Sequence, residues 1–317
     1  MNLLTVPASS LKKEHPVKIP IPDWLVKEVS SKRNLGSLPK ILKEAGLRTV
    51  CQAARCPNIG ECFSRGTATF LILGDICRRQ CRFCSIKKRP SGYLPVDKDE
   101  PARIAQTVQQ LGLGYVVVTS VSRDDLPDGG AEHFARTIRK IKSRTPGITV
   151  EVLIPDFSGH LEALKTVVKE RPEVINHNLE TVEPLYPKVR PQADYKRSLE
   201  LLRRIKGLDA RIFTKSGLIL GLGEEKEEIQ KALNDLQQAQ ADILTLGQYL
   251  QPTVRELAVE KYLTRQEFAF WQKAAEALGF LFVASGNLVR SSYRAEEAYK
   301  RALSRSSLSR FQGNDIT

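Results

Sequence analysis

From about residue 67 onward, short and continuously apolar runs alternate with longer stretches in which apolar residues recur every three or four positions. Thr67 to Leu73, Tyr115 to Val121, Ile148 to Ile154, Val174 to Leu179, Arg211 to Leu220 and Ile243 to Tyr249 read as strands. Between and after them, Asp99 to Leu111, Gly130 to Ser143, Leu161 to Lys169, Arg197 to Ile205, Glu225 to Ala239 and Arg265 to Leu278 carry a helical period. A further β-like run covers Leu281 to Ala284. Upstream of residue 50 the chain is polar and rich in proline, with Trp24 and Leu25 opening a mixed segment and a short helical pattern at Leu38 to Ala45. The basic, serine-rich stretch after Tyr299 is expected to fray.

Apolar strands alternating with amphipathic helices predict a parallel sheet covered by helices. Strand–helix units of this number fit either an open doubly wound sheet or a partial barrel. The Gly-rich dinucleotide fingerprint is missing: Gly221 and Gly223 are only a fragment of one, and the spacing after Gly114 also fails. In either architecture the site lies at the carboxyl ends of the strands. The polar groups that follow strands would collect there, namely Cys77 to Cys84, Ser120 to Asp125, Asn178 to Glu180, and Gln248.

Chemistry enters with the cysteines. All six lie within residues 51 to 84, as Cys51-x4-Cys56-x5-Cys62 and Cys77-x3-Cys81-x2-Cys84. A disulfide scaffold suits a short secreted chain, whereas this one has 317 residues and opens on no apolar signal segment. A closed zinc shell needs four ligands, and neither triad has a histidine near it in sequence. Buried structural thiols would not cluster so tightly. Metal–sulfur clusters are the reading that uses every thiol. Two clusters of four irons would each be one protein ligand short.

The C-x3-C-x2-C spacing, with Phe83 directly before its last cysteine, resembles the radical S-adenosylmethionine superfamily. The two triads together resemble one family within it, the lipoyl synthases. The resemblance continues through Arg55-Cys-Pro-Asn-Ile-Gly-Glu-Cys62, Thr119-Ser-Val-Ser-Arg-Asp-Asp-Leu-Pro-Asp-Gly-Gly-Ala131, Asn176-His-Asn-Leu-Glu-Thr-Val182 and Val189-Arg-Pro191. Ser216-Gly-Leu-Ile-Leu-Gly-Leu-Gly-Glu224, Gly247-Gln-Tyr-Leu-Gln-Pro-Thr253 and Arg290-Ser-Ser-Tyr293 extend it farther. One departure is visible: Arg78 stands where the family usually has a small hydroxyl residue.

The resemblance implies an α/β fold, a partial (β/α)6 TIM-type barrel over residues 67–286. It would carry an N-terminal extension (1–66) bearing the upstream cysteines and a C-terminal segment (287–317) closing over them. It implies two 4Fe-4S clusters and S-adenosylmethionine as cofactors. Cys77, Cys81 and Cys84 would hold the radical cluster, whose free iron binds the amino and carboxylate groups of S-adenosylmethionine. Cys51, Cys56 and Cys62 would hold the auxiliary cluster, completed by a serine of the Arg-Ser-Ser-Tyr motif; of Ser291 and Ser292, Ser292 is the choice. Phe83, Thr119, Ser120, Asn178, Glu180 and Arg190 are candidates to contact S-adenosylmethionine. Asp124, Asp125 and Asp128 are read as caps of the next helix, and His133 and His177 as structural residues. No classical acid–base pair is assigned.

The implied reaction inserts two sulfur atoms at carbons six and eight of an octanoyl chain on a carrier-domain lysine, with the auxiliary cluster as sulfur donor. The implied partners are octanoylated lipoyl carrier domains of 2-oxoacid dehydrogenase complexes and of the glycine cleavage system. An electron donor such as ferredoxin or flavodoxin and an iron–sulfur carrier for cluster repair complete the set. The formal net charge of +13 suits an acidic carrier better than nucleic acid once that resemblance is weighed. No membrane partner is expected, since no apolar run approaches the ~18 residues of a span, and the unoxidised-looking thiols point to a reducing, cytoplasmic setting. Two other functions fit the sequence less well. A radical methylthiotransferase acting on tRNA would spread its auxiliary cysteines over a separate domain and append an RNA-binding β-barrel. A simple electron carrier has little use for an exchangeable iron or for so large a strand–helix core.

Overall fold

The computed structural model describes residues 19–23, 25–26, 38–64 and 67–312, with the side chains of 64 and 308–312 outside the description. Trp24 therefore lies outside the described residues, as does most of the proline-bearing segment. In chain order the strands are β1 (Arg48–Thr49), β2 (Thr69–Ile72), β3 (Ile76–Cys77), β4 (Lys87–Lys88), β5 (Tyr115–Ser120), β6 (Thr149–Leu153), β7 (Val174–Asn176), β8 (Phe213–Leu220), β9 (Ile243–Gln248) and β10 (Phe282–Gly286). Eight of them form one sheet in the order β1-β2-β5-β6-β7-β8-β9-β10. Every pairing within it is parallel except the antiparallel β1–β2 edge.

That order decides between the two architectures left open by the sequence. From β2 onward each strand joins on the same side of its predecessor, with no reversal. A doubly wound sheet reverses at a switch point, while a barrel winds in one sense. The sheet does not close, since β1 and β10 remain its edges, so the architecture is a partial barrel. Strands β2, β7 and β9 are buried along their whole lengths, as expected of a sheet with helices on one face and packed side chains on the other. The connecting helices (Glu100–Gln110, Ala131–Arg144, Leu161–Lys169, Tyr195–Leu208, Lys226–Gln238 and Arg265–Ala277) lie within a few residues of the expected bounds. Their starts are chemically marked. Asp194 accepts from the Arg197 backbone N–H, and Thr264 with Glu267 forms a reciprocal capping box.

On the concave side, below the site, Lys215 Nζ donates to both carboxylate oxygens of Glu151 at 2.9 and 3.2 Å, and Tyr115 Oη donates to the same carboxylate at 2.6 Å. Both charged partners are almost fully buried, a combination tolerated only because each is paired and hydrogen-bonded.

Three expectations are corrected. The stretch after Tyr299 does not fray at once: it continues a helix, Ala295–Gln312. Tyr299 packs at a tilt against Tyr115 (centroids 6.0 Å apart) and edge-on to Phe213 (5.6 Å), while Ala298 and Ala302 pack with Ile243. Tyr115, Phe213 and Ile243 are the first residues of β5, β8 and β9, so this helix covers the amino ends of the strands. The first cysteine triad, whose turn residues Pro57, Asn58 and Gly60 read as loop in the sequence, is not a plain loop, because Val50–Ala53 and Ile59–Ser64 are short helices. The Asp124–Asp125 pair caps nothing, as described below, whereas Asp128 accepts from the Gly130 and Glu132 backbone N–H groups at the start of its helix.

Candidate active site

The second triad sits where β2 leaves the sheet. Cys77 ends β3, which pairs with β4 as a two-strand ribbon standing apart from the main sheet. Cys81 and Cys84 lie on the connecting loop, which is tied down by main-chain bonds from Arg82 N–H to the Val189 carbonyl and from Leu257 N–H to the Arg82 carbonyl. Two arginines between the cysteines turn inward. Arg79 makes a bidentate pair with Asp124 (2.8 and 2.9 Å) and also donates to Asp156, which in turn accepts from Arg197 at 2.7 Å. Arg78 pairs with Asp125, which also takes a bidentate bond from the fully buried Arg123. Arg123 with Arg78 holds the Asp125 carboxyl well below the usual carboxylate range. Burial opposes ionisation of Asp156, but Arg79 and Arg197 more than offset it and keep that carboxyl low as well. The loop is thus bolted to the segments after β5 and β6 by a network of ion pairs in which the arginines are buried, so removing a carboxylate leaves buried positive charge under-compensated.

The first triad is built differently. Cys51 and Cys62 ride on the two short helices beside the β1–β2 edge, Cys56 lies on the turn between them, and a segment more than two hundred residues away covers all three. Asn58, fully buried, donates from Nδ2 to the Leu288 carbonyl at 2.6 Å. Tyr293 Oη donates to Glu61 at 3.0 Å, and Arg294 reaches the same carboxylate at 3.3 Å. Gly247 on β9 permits the crossing, because a Cβ there would overlap the Val289 carbonyl oxygen.

Both triads open into one cavity of about 350 Å³. Its lining includes all six cysteines, Phe83, Thr119, Ser120, Asn178, Glu180, Arg190, Ser291 and Ser292, so every candidate named from the sequence is on its wall. None of the six thiols is in a disulfide. Burial pushes Cys51 up to about 11 and Cys84 up to about 12, and neighbouring thiols add to both shifts. Thiols in such a setting ionise readily only when a metal takes the proton's place. No group of three His, Cys, Asp or Glu among the described residues converges on a single ion. Cysteines that each hold a different corner of a four-iron cube stand around a volume rather than a point, so the donor set fits clusters, not a mononuclear site.

The other candidates have definite partners. Arg190 donates from Nη1 to the Asn178 and Leu179 carbonyls, both at 2.9 Å, and its charge favours the Cys81 thiolate against the opposing effect of burial. Asn178 Nδ2 donates to Glu180 and to Ser291 Oγ, each at 3.0 Å, while Asn178 Oδ1 is buried without a partner. Ser120 Oγ is likewise buried and unpartnered, and Thr119 donates to the Leu153 carbonyl at 3.0 Å. Glu180 holds a left-handed backbone (φ 67°), and burial raises its carboxyl above the ordinary value. Gly217 keeps this corner open, for a Cβ there would strike Thr245 and crowd Asn178 Oδ1. His177 bonds to the Ile154 carbonyl and Ser198, and burial pushes it down to about 4, so it is neutral. His133 bonds to Glu100 at 2.8 Å. The arginine–aspartate network was not foreseen from sequence. Arg79 lay inside the motif, but nothing local marks Asp156 as its partner.

Comparison with known proteins agrees with this geometry. The family model described as the radical SAM superfamily matches residues 71–236. The solved structure of methylornithine synthase superposes with a TM-score of 0.53 over 81% of this chain and 78% of that one, at 15% identity, a likeness of fold alone. The chain belongs to the radical SAM enzymes. Within them it aligns at 52% identity with the lipoyl synthase of Caldanaerobacter subterraneus subsp. tengcongensis, over 87% of this chain and 95% of that protein. The lipoyl synthase of Caldicellulosiruptor bescii is also 52% identical, over 87% of this chain and 94% of its own. The chain is a member of the lipoyl synthase family, sulfurtransferases that use iron–sulfur clusters and S-adenosylmethionine. That membership leaves no place for the tRNA methylthiotransferase or the electron carrier. Among the described residues no helix is long and apolar enough to cross a membrane.

Proposed function

We propose that the chain inserts two sulfur atoms, at carbons six and eight, into an octanoyl group carried on a lysine of a lipoyl carrier domain. The observation that carries this reading is the shared cavity: six thiols in two triads face one space, with no cysteine left elsewhere to serve as a persulfide or acyl carrier. When bound, the clusters and S-adenosylmethionine supply a primary carbon radical able to take hydrogen from an unactivated carbon, and a store of sulfide beside it.

The chain's own residues then have distinct tasks. Cys77, Cys81 and Cys84 hold the radical cluster and leave one corner free for S-adenosylmethionine. Asn178 Oδ1 and Ser120 Oγ, buried and unpartnered, are the groups a polar ligand in the cavity would satisfy. Glu180 and Arg190 add charge of both signs, and Phe83 and Thr119 complete that wall. Cys51, Cys56 and Cys62 hold the sulfur-donating cluster. Ser292 is its fourth ligand, a reading supported by the engagement of the neighbouring Ser291 hydroxyl with Asn178. A serine oxygen is a harder donor than thiolate and is displaced more easily from iron. Leu71, Ile86, Val121, Leu153, Leu218 and Ile219 give the cavity an apolar wall that suits an acyl chain and excludes water. The partners on this reading are the octanoylated carrier domains of 2-oxoacid dehydrogenase complexes and the glycine cleavage system. A ferredoxin- or flavodoxin-type donor and an iron–sulfur carrier serve the clusters, and six cysteines outside any disulfide suit a reducing cytoplasm.

The test is direct. Anaerobically reconstituted protein is mixed with S-adenosylmethionine, a low-potential reductant and an octanoyl-lysyl peptide, and the peptide is weighed. A gain of two sulfur atoms is expected; 5′-deoxyadenosine without sulfur in the peptide would refute the proposed activity.

A further inference from the structure

The sulfur-insertion reading says what must enter the cavity but not where its bearer lands. Ser85, Ile86 and Lys88 line the cavity, and the chain then emerges at its rim as Lys87-Lys-Arg-Pro-Ser-Gly-Tyr93, every residue of which is exposed. Tyr93 is 85% exposed, the most open of the exposed large apolar side chains. Arg48 adjoins this strip, since it and Lys87 approach the same carboxylate of Asp75, each at only 3.7 Å. One loosely held carboxylate therefore faces two of four neighbouring cations.

An exposed loop of this composition would ordinarily be mobile, yet this one is pinned from beneath. Arg78 donates to the carbonyls of Arg89 (3.0 Å) and Gly92, and Arg123 donates to the carbonyl of Leu94 at 2.8 Å. Both guanidiniums are more than nine-tenths buried and share Asp125. Fixing exposed backbone with buried charge costs conformational and desolvation free energy that a solvated loop has no need to spend. A surface that must be presented in one shape recovers that cost, because preorganisation lowers the penalty of binding. Arg78, the residue that departs from the family's usual choice, is half of the pin.

We infer that the Lys87–Tyr93 strip is the landing surface for an acidic protein face that carries the acylated lysine, and that Arg78 fixes the shape of that surface. The cations steer the encounter, and Tyr93 supplies a rigid aromatic anchor at low entropic cost. This inference rests on the sulfur-insertion reading, so the experiment separates the two. The double variant Lys87→Glu/Arg89→Glu is compared with the parent on two substrates, an octanoylated acidic carrier domain and a short neutral octanoyl-lysyl peptide. Iron content serves as the folding control.

The expected result is a fall in kcat/KM of roughly tenfold or more on the carrier, with the peptide turned over at the parental rate. The parent's turnover of the carrier should decline with added salt and the variant's should not. Arg78→Thr, with iron content retained, should accelerate amide hydrogen exchange across residues 89–93 and lower carrier turnover less than the double variant does. Equal losses on carrier and peptide, or no loss on either, would overturn the inference. So would a double variant that loses retention on tRNA while its carrier turnover stays intact, because the strip would then serve nucleic acid. A parent that fails on the peptide as well would count instead against the sulfur-insertion reading.

Discussion

The two cysteine triads face one cavity and are held in opposite ways. The downstream triad is embedded: its loop leaves a core strand, and its two inward arginines are locked into carboxylates at the ends of β5 and β6. The upstream triad is enclosed. Its helices lie outside the main sheet, and the contacts that cover it, Asn58 to Leu288 and Glu61 to Tyr293, come from a remote segment. An embedded site keeps its ligands fixed while substrate comes and goes. An enclosed site can be opened by moving one segment, which suits the proposed role of a cluster that surrenders atoms and is replaced.

The largest effects should come from removing either triad whole. Replacing Cys77, Cys81 and Cys84 with alanine should abolish cleavage of S-adenosylmethionine and lower iron from about eight to about four per chain. Full iron content in that variant would contradict the two-site division. Replacing Cys51, Cys56 and Cys62 should leave 5′-deoxyadenosine formation intact and eliminate sulfur insertion. Lipoyl product from that protein would place the sulfur source elsewhere.

Smaller changes sharpen the contrast between embedded and enclosed. Asp156→Asn removes the buried anion between Arg79 and Arg197, and by analogy with other broken buried pairs it should destabilise the fold by about 3–5 kcal/mol. Denaturant unfolding would measure this, and a loss under about 1 kcal/mol would mean that the network is not structural. Asn58→Ala leaves the Leu288 carbonyl without its donor at a cost of about 1–3 kcal/mol. Because the contact only covers the upstream site, iron should be lost there first while cleavage of S-adenosylmethionine persists. Equal loss at both sites would erase the distinction. The subtlest effect belongs to Ser292→Ala, which should change only the auxiliary cluster's spectroscopic signature and slow sulfur insertion. Ser291→Ala is the control, since its hydroxyl is already engaged by Asn178. The reverse pattern would move the ligand by one residue.

The parallel strands and their helices were legible because each signal was local. An apolar run such as Tyr115 to Ser120 or a stripe such as Ile104, Ala105 and Val108 declares itself within a dozen residues. The gathering of the six cysteines on one wall was legible through spacing. What escaped was whatever depends on distant partners. The two-residue strands β1, β3 and β4 exist only through pairing. The helix Ala295–Gln312 carries a serine-rich sequence with no clear apolar stripe, and its place under the strands is a matter of tertiary packing. Asp124 and Asp125 looked like caps because a helix follows, yet buried guanidiniums outbid the helix start for their carboxylates.

The crossing at Gly247 has a consequence in time. A chain emerges from the ribosome in order and its domains fold from the amino end, so the cysteines at 51, 56 and 62 appear long before the Leu288–Arg294 stretch that covers them. During that interval they are thiols without a lid. The downstream loop finds Asp124 and Asp156 within the next eighty residues, but the upstream pocket must wait for nearly the whole sequence. On the proposed assignment of those cysteines, the auxiliary cluster would be enclosed only once nearly the whole chain has been made, and Gly247 marks the point in synthesis before which the door has no frame to close against.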